Sequence, residues 1–319
     1  MPAVQPDRET AVTDDIPYWI ALSNVPGVGP VMFRTLCERL GGPPAVFQAD
    51  DEKLRTIPGL RPETIAAFRD SRHAVRAARE LARDLDDQRI AVVTCRDPAY
   101  PPCLFDLSDP PPLLYVLGKL PAPDERAFSV SGSTAPSARG ADIASAVGRE
   151  LARADWTVVS GYAYGVDTAA HLGALEENGR TVLVLPMGIR AFELRAEFLP
   201  FGKRIGGDVV LASECPPDEA WSSRAAVMRD RIIAALGRGL LAVEARPQGG
   251  TMITFRHALK LGRPAYVVKY RRSPPGASGN RLAIRAGGLP VASLSAFREI
   301  ITARELPRAA PKAKQGELF

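Results

Sequence analysis

Short runs of consecutive apolar residues alternate along most of this chain with longer stretches whose apolar positions recur every three or four residues. The runs 127–131, 157–160, 181–185, 209–212, 240–245 and 265–268 are apolar on successive positions, as strands buried on both faces are. Between them, 142–154 places Ile143, Val147, Leu151 and Ala154 at helical spacing, and the pattern predicts further helices over 168–177, 222–236 and 251–261. Strand and helix in regular alternation imply an α/β fold built on a parallel, doubly wound sheet. In such sheets ligands bind beyond the carboxyl ends of the strands, which is where Gly132, Gly161, Gly188 and the Gly249-Gly250 pair stand.

The chain before residue 127 reads differently. From Ile16 to about Leu85 the apolar stripes are short and helical, with two similar turns at 25–30 (Val-Pro-Gly-Val-Gly-Pro) and 57–62 (Ile-Pro-Gly-Leu-Arg-Pro). Each leads into a helix and resembles the helix-hairpin-helix element, whose amides hold a DNA phosphate without reading sequence. The same turns also suit simple connectors in a helical bundle. A strand at 90–94, a proline-rich stretch and an apolar run at 113–117 read as an extension to the sheet. The expected organisation is a disordered segment over 1–14, a helical domain (SAM- or helix-hairpin-helix-like) over 15–85, the α/β domain over 86–305 and a flexible tail over 306–319.

Composition narrows the function. The chain has 319 residues, 46% of them hydrophobic, enough for a sizeable core without crosslinks. Four scattered cysteines without a CxxC pair, and three histidines, indicate neither a disulfide framework nor a zinc cage, and no metal or cofactor is expected. No apolar run reaches the length of a bilayer span, so a cytoplasmic protein without membrane contact is expected. A net charge of +5 leans toward polyanionic partners without deciding between them.

The turns carry the candidate chemistry. After the first strand of the alternating region, 131–140 is rich in hydroxyls and small residues, with Gly132, Ser133 and Arg139 as candidate phosphate ligands. It lacks the GxGxxG spacing of dinucleotide binders. The second turn runs from Ser160 and Gly161 through Gly165 to Asp167 and His171. Its glycines admit a close ligand, Asp167 is placed to cap the next helix, and His171 reads as a packed residue. Arg229 and Arg231, at the polar start of an otherwise apolar helix, are expected to face the crevice. Glu244, ending a buried strand, is expected to pair with one of them. Gly249, Gly250 and Thr251 repeat the small-residue turn before a helix.

Taken in order, these motifs resemble the DNA-processing protein A family, also called DprA or Smf. They are Tyr100-Pro101, Pro110 to Pro112, Ser160-Gly161 with Gly165-Val166-Asp167 and Ala170-His171, Pro186-x-Gly188, Ser213-Glu214-x-Pro216, Arg229-x-Arg231-Ile232-Ile233-Ala234, Val243-Glu244-Ala245, Gly250-Thr251-x-Ile253-Thr254, Gly262-Arg263 and Gly279-Asn280. The resemblance covers roughly residues 16–303. It implies an extended Rossmann-like domain that binds single-stranded DNA, dimerises and helps to load a RecA-type recombinase during natural transformation, without catalysis. By position, Gly132, Ser133, Arg139, Ser160, Gly161, Gly165, Arg229, Arg231 and Gly249 to Thr251 would hold the strand's phosphates, with Asp167, His171 and Glu244 in support.

Three departures from the family pattern stand out. The usual Gly-Ser-Arg is Gly132-Ser133-Thr134, the usual Arg-Asn-Arg is Arg229-Asp230-Arg231, and the loop after Gly188 reads Ile189-Arg190-Ala191-Phe192-Glu193. A diverged role, for instance in phage defence, is compatible with them. Two other functions stay open: a nucleotide sensor or phosphoribohydrolase-like enzyme, disfavoured because no glutamate follows Thr251 on its helix, and an adaptor using the helical region for docking.

Overall fold

A computed structural model of the chain describes residues 8–71, 73–303 and 306. Their elements fall into two compact units, one within Met1–Tyr100 and Ser108–Leu117, the other within Pro101–Leu107 and Gly118–Phe319.

The first unit holds helices α1 (Arg8–Ser23), α2 (Pro30–Leu40), α3 (Pro43–Gln48), α4 (Asp51–Arg55), α5 (Pro62–Ser71) and α6 (Ala74–Asp87), then strands β1 (Ile90–Thr94) and β2 (Leu113–Leu117). The two strands pair antiparallel, α6 packs on β1 and α1 on β2. Trp19 stacks on Phe33 at 5.2 Å, and Phe47 meets Tyr18 and Phe68 at about 6 Å in the unit's core. The two similar turns fold alike: Val28 N donates to Val25 O and Leu60 N to Ile57 O, with Gly27 and Gly59 at φ of 86° and 77°. That is the Pro-Gly turn in which the second central residue must take positive φ.

The second unit contains β3 (Ala127–Ser131), α7 (Ala138–Arg153), β4 (Thr157–Ser160), α8 (Val166–Glu176), β5 (Thr181–Val184) and β6 (Val209–Ser213). Then follow α9 (Ser223–Leu236), β7 (Leu240–Ala242), α10 (Gly250–Lys260), β8 (Ala265–Val268), α11 (Asn280–Arg285), β9 (Leu289–Val291) and α12 (Leu294–Thr302). Its strands run β6-β5-β4-β3-β7-β8-β9, every neighbouring pair parallel. The sheet is therefore α/β, Rossmann-like and doubly wound, as expected. Helices α7, α8 and α12 cover one face around Phe128, Val130, Leu241 and Trp156, while α9, α10 and α11 cover the other around Leu240, Ala242 and Phe255. Adjacent residues of one strand feed opposite cores, which is why these strands are apolar on successive positions.

Strand order reverses between β3 and β7, so the loops that follow them diverge and open a crevice. Helix α1 begins at Arg8, and Leu306 packs against the β3–α12 core. Residues 1–7 and 307–319 lie outside the described residues. Among the described residues no helix is long and apolar enough to cross a membrane.

Candidate functional site

A cavity of about 740 Å³ opens at the reversal point. Its walls are the loops after β3, β4, β5, β6 and β7 together with the first two turns of α9 and the start of α10, so five loops distant in sequence share one space. Of the residues expected there, Gly132, Ser133, Gly161, Asp167, Arg229, Gly249, Gly250 and Thr251 line it. The amides of Gly250 and Thr251 precede the first intrahelical bonds of α10, and the positive end of that helix faces the cavity. An anion is the ligand such a wall accepts.

The Ser160-Gly161 turn plays another part than expected. Gly161 N and Ala163 N both donate to Asp167 Oδ2, at 3.1 and 3.3 Å, so the turn's amides are spent on an internal carboxylate. Asp167 is accordingly not the N-cap of α8. The cap is Gly165, whose φ of 78° lets it nest against Pro136 and the carbonyls of Ser133 and Thr134. Ser160 Oγ donates to Val130 O inside the sheet and does not reach the cavity.

Gly161 lies directly on the guanidinium of Arg229. That side chain is 7% exposed, donates from Nη1 to Val184 O at 2.8 Å and has Nε 3.4 Å from Asp230 Oδ1. Arg229 thus presents only an edge to the cavity. Arg231 does not face it at all: it is buried and forks onto Glu214 at 2.6 and 2.7 Å. Two residues along a helix are about 200° apart, so the two arginines point to opposite sides.

Arg139 also points elsewhere, into a separate 290 Å³ cavity beside Tyr270, and does not replace the arginine missing at Thr134. Glu244 makes no pair with Arg229 or Arg231. It is fully buried and accepts from Ser137 N and Oγ at 3.1 and 2.5 Å and from Tyr270 Oη at 3.3 Å, fixing the cap of α7. His171 is buried behind the wall, with Nδ1 2.6 Å from Thr181 Oγ1. Because Thr181 Oγ donates to Val158 O, Nδ1 carries the proton and Nε2 stays bare. Burial, together with the charges of Arg195 and Arg229, pushes its pKa down to about 3.

The structure adds residues that the sequence did not single out. Arg195, in the diverged loop after β5, sits over the rings of Tyr162 and Tyr164 at 3.9 and 4.5 Å and donates to Thr168 Oγ1. Tyr162 holds φ of 58° under these contacts, its hydroxyl accepting from Arg195 N and donating to Glu193 O. Arg246, Tyr164 and Trp221 complete the exposed wall. The one sequence signal for them was the pair of tyrosines set inside a glycine turn.

The cavity is lined by three arginines, Arg195, Arg229 and Arg246, and three carboxyl groups, Asp167, Asp230 and Glu193. Burial raises Asp167, opposed by Arg229 and the loop amides. Burial, with the charge of Asp167, likewise pushes Asp230 up to about 7 against the opposing pull of Arg229. An unfolded aspartate titrates near about 3.9, so between there and 7 the folded chain holds a proton that the unfolded chain releases. This carboxyl's contribution to stability is full below about pH 4 and is lost as pH rises through about 7. Asp230→Asn is expected to flatten the fall in Tm between pH 5 and 8, measured by thermal unfolding in matched buffers; an unchanged pH profile would show that Asp230 is ionised throughout.

Comparison with known proteins places this arrangement. The Smf protein of Synechocystis sp. is 29% identical over 253 residues, 78% of this chain and 63% of that protein. The DNA processing protein DprA of Streptococcus pneumoniae is 34% identical over 185 residues, 57% of this chain and 64% of that protein. The chain spans a little under two thirds of the length of these two relatives. The X-ray structure of the pneumococcal DprA superposes with a TM-score of 0.71 at 27% identity, covering 88% of this chain and 95% of that one. A Helicobacter pylori DprA structure, described for its single-stranded DNA binding mode, shares the fold with a TM-score of 0.57 at 22% identity over 66% of this chain and 94% of that one. The family model described as DNA recombination-mediator protein A matches residues 74–302. Since that match takes in β1 to β9 and every loop that walls the cavity, the chain belongs to the DNA recombination-mediator protein A family.

Proposed function

We propose that this protein binds single-stranded DNA in the cavity at the sheet's reversal point, and acts there as a recombination mediator without catalytic turnover. The observation that carries the proposal is the convergence of the α10 amides, the Gly132-Ser133 loop and Arg229 on one cavity. Family membership and the strand bound by the Helicobacter relative point the same way. His171 lies behind the wall and Glu244 is engaged by Ser137 and Tyr270, so neither reaches a ligand in the cavity. A homodimer that passes the strand to a RecA-type recombinase completes the proposal, in line with the family's description as a recombination mediator.

Fluorescence anisotropy with labelled oligonucleotides tests it. Binding is expected for single-stranded over duplex DNA, independent of sequence and weakening as salt rises. No binding by folded protein at low salt overturns it. Recombinase filament formation on protected DNA, measured with and without this chain, tests the mediator role.

A further inference from the structure

The cavity wall carries two large aromatic side chains in an unusual state. Among the described residues Tyr164 is 67% exposed and Trp221 60%, and both line the same opening. Neither is loosely placed. Tyr164 precedes the nested Gly165 and lies under the guanidinium of Arg195 at 4.5 Å. Trp221 precedes Ser222, whose Oγ caps α9 by accepting from Ala225 N at 3.0 Å, and Val227, 45% exposed, adds apolar surface one turn on. Rigid aromatic surface left in water beside anion-binding amides matches a ligand that is itself part anion and part aromatic ring.

Charge supports the same conclusion from another side. Of the three arginines that line the cavity, Arg229 contributes only an edge and Arg195 is already engaged by Tyr162, Tyr164 and Thr168. Affinity for a strand must then draw on something besides phosphate neutralisation. Stacking is the contribution that exposed tyrosine and tryptophan supply, at about 1–3 kcal/mol per base.

We propose that Tyr164 and Trp221 form a stacking platform for the unpaired bases of the bound strand, while the α10 N-terminus and the Gly132 loop take its phosphates. This rests on the single-stranded DNA function proposed above. It assigns the reading of base planes, and so the rejection of duplex, to two residues on the β4 and β6 sides of the cavity.

The chain reports on this directly. Trp19 and Trp156 are each 4% exposed, which leaves Trp221 as the tryptophan accessible to a ligand. The experiment titrates full-length protein with oligo(dT), with an abasic oligonucleotide of equal length, and with dTMP, reading tryptophan fluorescence and anisotropy together. Oligo(dT) is expected to quench Trp221 in step with binding and to bind more tightly than the abasic strand. Trp221→Ala and Tyr164→Ala are each expected to weaken oligo(dT) by about five- to 150-fold, leave the abasic strand unaffected and keep the wild-type Tm. Trp221→Phe should restore most of the affinity. Equal affinity for oligo(dT) and the abasic strand overturns the stacking platform while preserving single-stranded DNA binding, whereas no binding of either overturns both. Quenching by dTMP at matched nucleotide concentration overturns the platform as a strand site and identifies a free-nucleotide site.

Discussion

Arg229→Ala is expected to lower the unfolding free energy by about 3–5 kcal/mol and to weaken oligonucleotide binding. The guanidinium is nearly buried, holds Val184 O and lies 3.4 Å from Asp230, with Asp167 also in its field. Its removal leaves two nearly buried carboxylates at the cavity wall without a cation beside them, and water reaches them only at one edge. The deficit has a pH signature. Without Arg229 both carboxyls take up protons more readily, so the folded state is expected to lose more stability at pH 8 than at pH 5. Arg229→Lys keeps the charge but not the forked donors, and should fall between wild type and alanine. Urea unfolding at both pH values, with anisotropy alongside, measures these effects. A loss under about 1 kcal/mol at pH 8 would show that the carboxylates are already neutral and need no cation.

Gly161→Ala should be the next most damaging change, at about 1–3 kcal/mol, although it adds one methyl group. The new Cβ would meet the Arg229 guanidinium, whose Nη2 stands 2.6 Å from that position, and Arg229 is held in place by Val184 O and Asp230. The methyl therefore displaces either the loop or the cation. Since Gly161 N also holds Asp167, the shift spreads to the start of α8. A double-mutant cycle isolates the cause: in an Arg229→Ala background the extra methyl enters vacated space, so the two losses should fall well short of additive. Additive losses would mean that the glycine serves its own backbone and not the arginine beneath it.

Much of this fold was legible in the chain because burial writes itself into the order of residues. Strands covered on both faces must be apolar at successive positions, so 127–131, 157–160 and 181–184 announced a parallel sheet. The Pro-Gly turns at 26–27 and 58–59 announced themselves too, since positive φ all but demands glycine there. The placement of glycines at strand ends located the cavity, because topology confines ligands to that side of the sheet. Helix ends were less exact: α7 starts at Ala138, four residues before the start at 142 that its apolar spacing predicts.

What the chain could not declare by itself was the partner of each polar group. Asp167 looks like a cap from its place before a helix, yet the curve of the preceding loop delivers the Gly161 and Ala163 amides to it. Arg229 and Arg231 look equivalent in a line of letters, and helix geometry sends one to the cavity and the other to Glu214. Arg195, Arg246 and Trp221 lie in segments without periodicity, where nothing local marks a direction. Hydrophobic burial is non-directional, so the order of apolar and polar residues alone determined the sheet, its helices and the end of the sheet at which the cavity opens. Hydrogen bonds and ion pairs depend on direction over a few ångströms between residues far apart in the chain, so tertiary structure alone decided which charges meet and which aromatic rings stay in water.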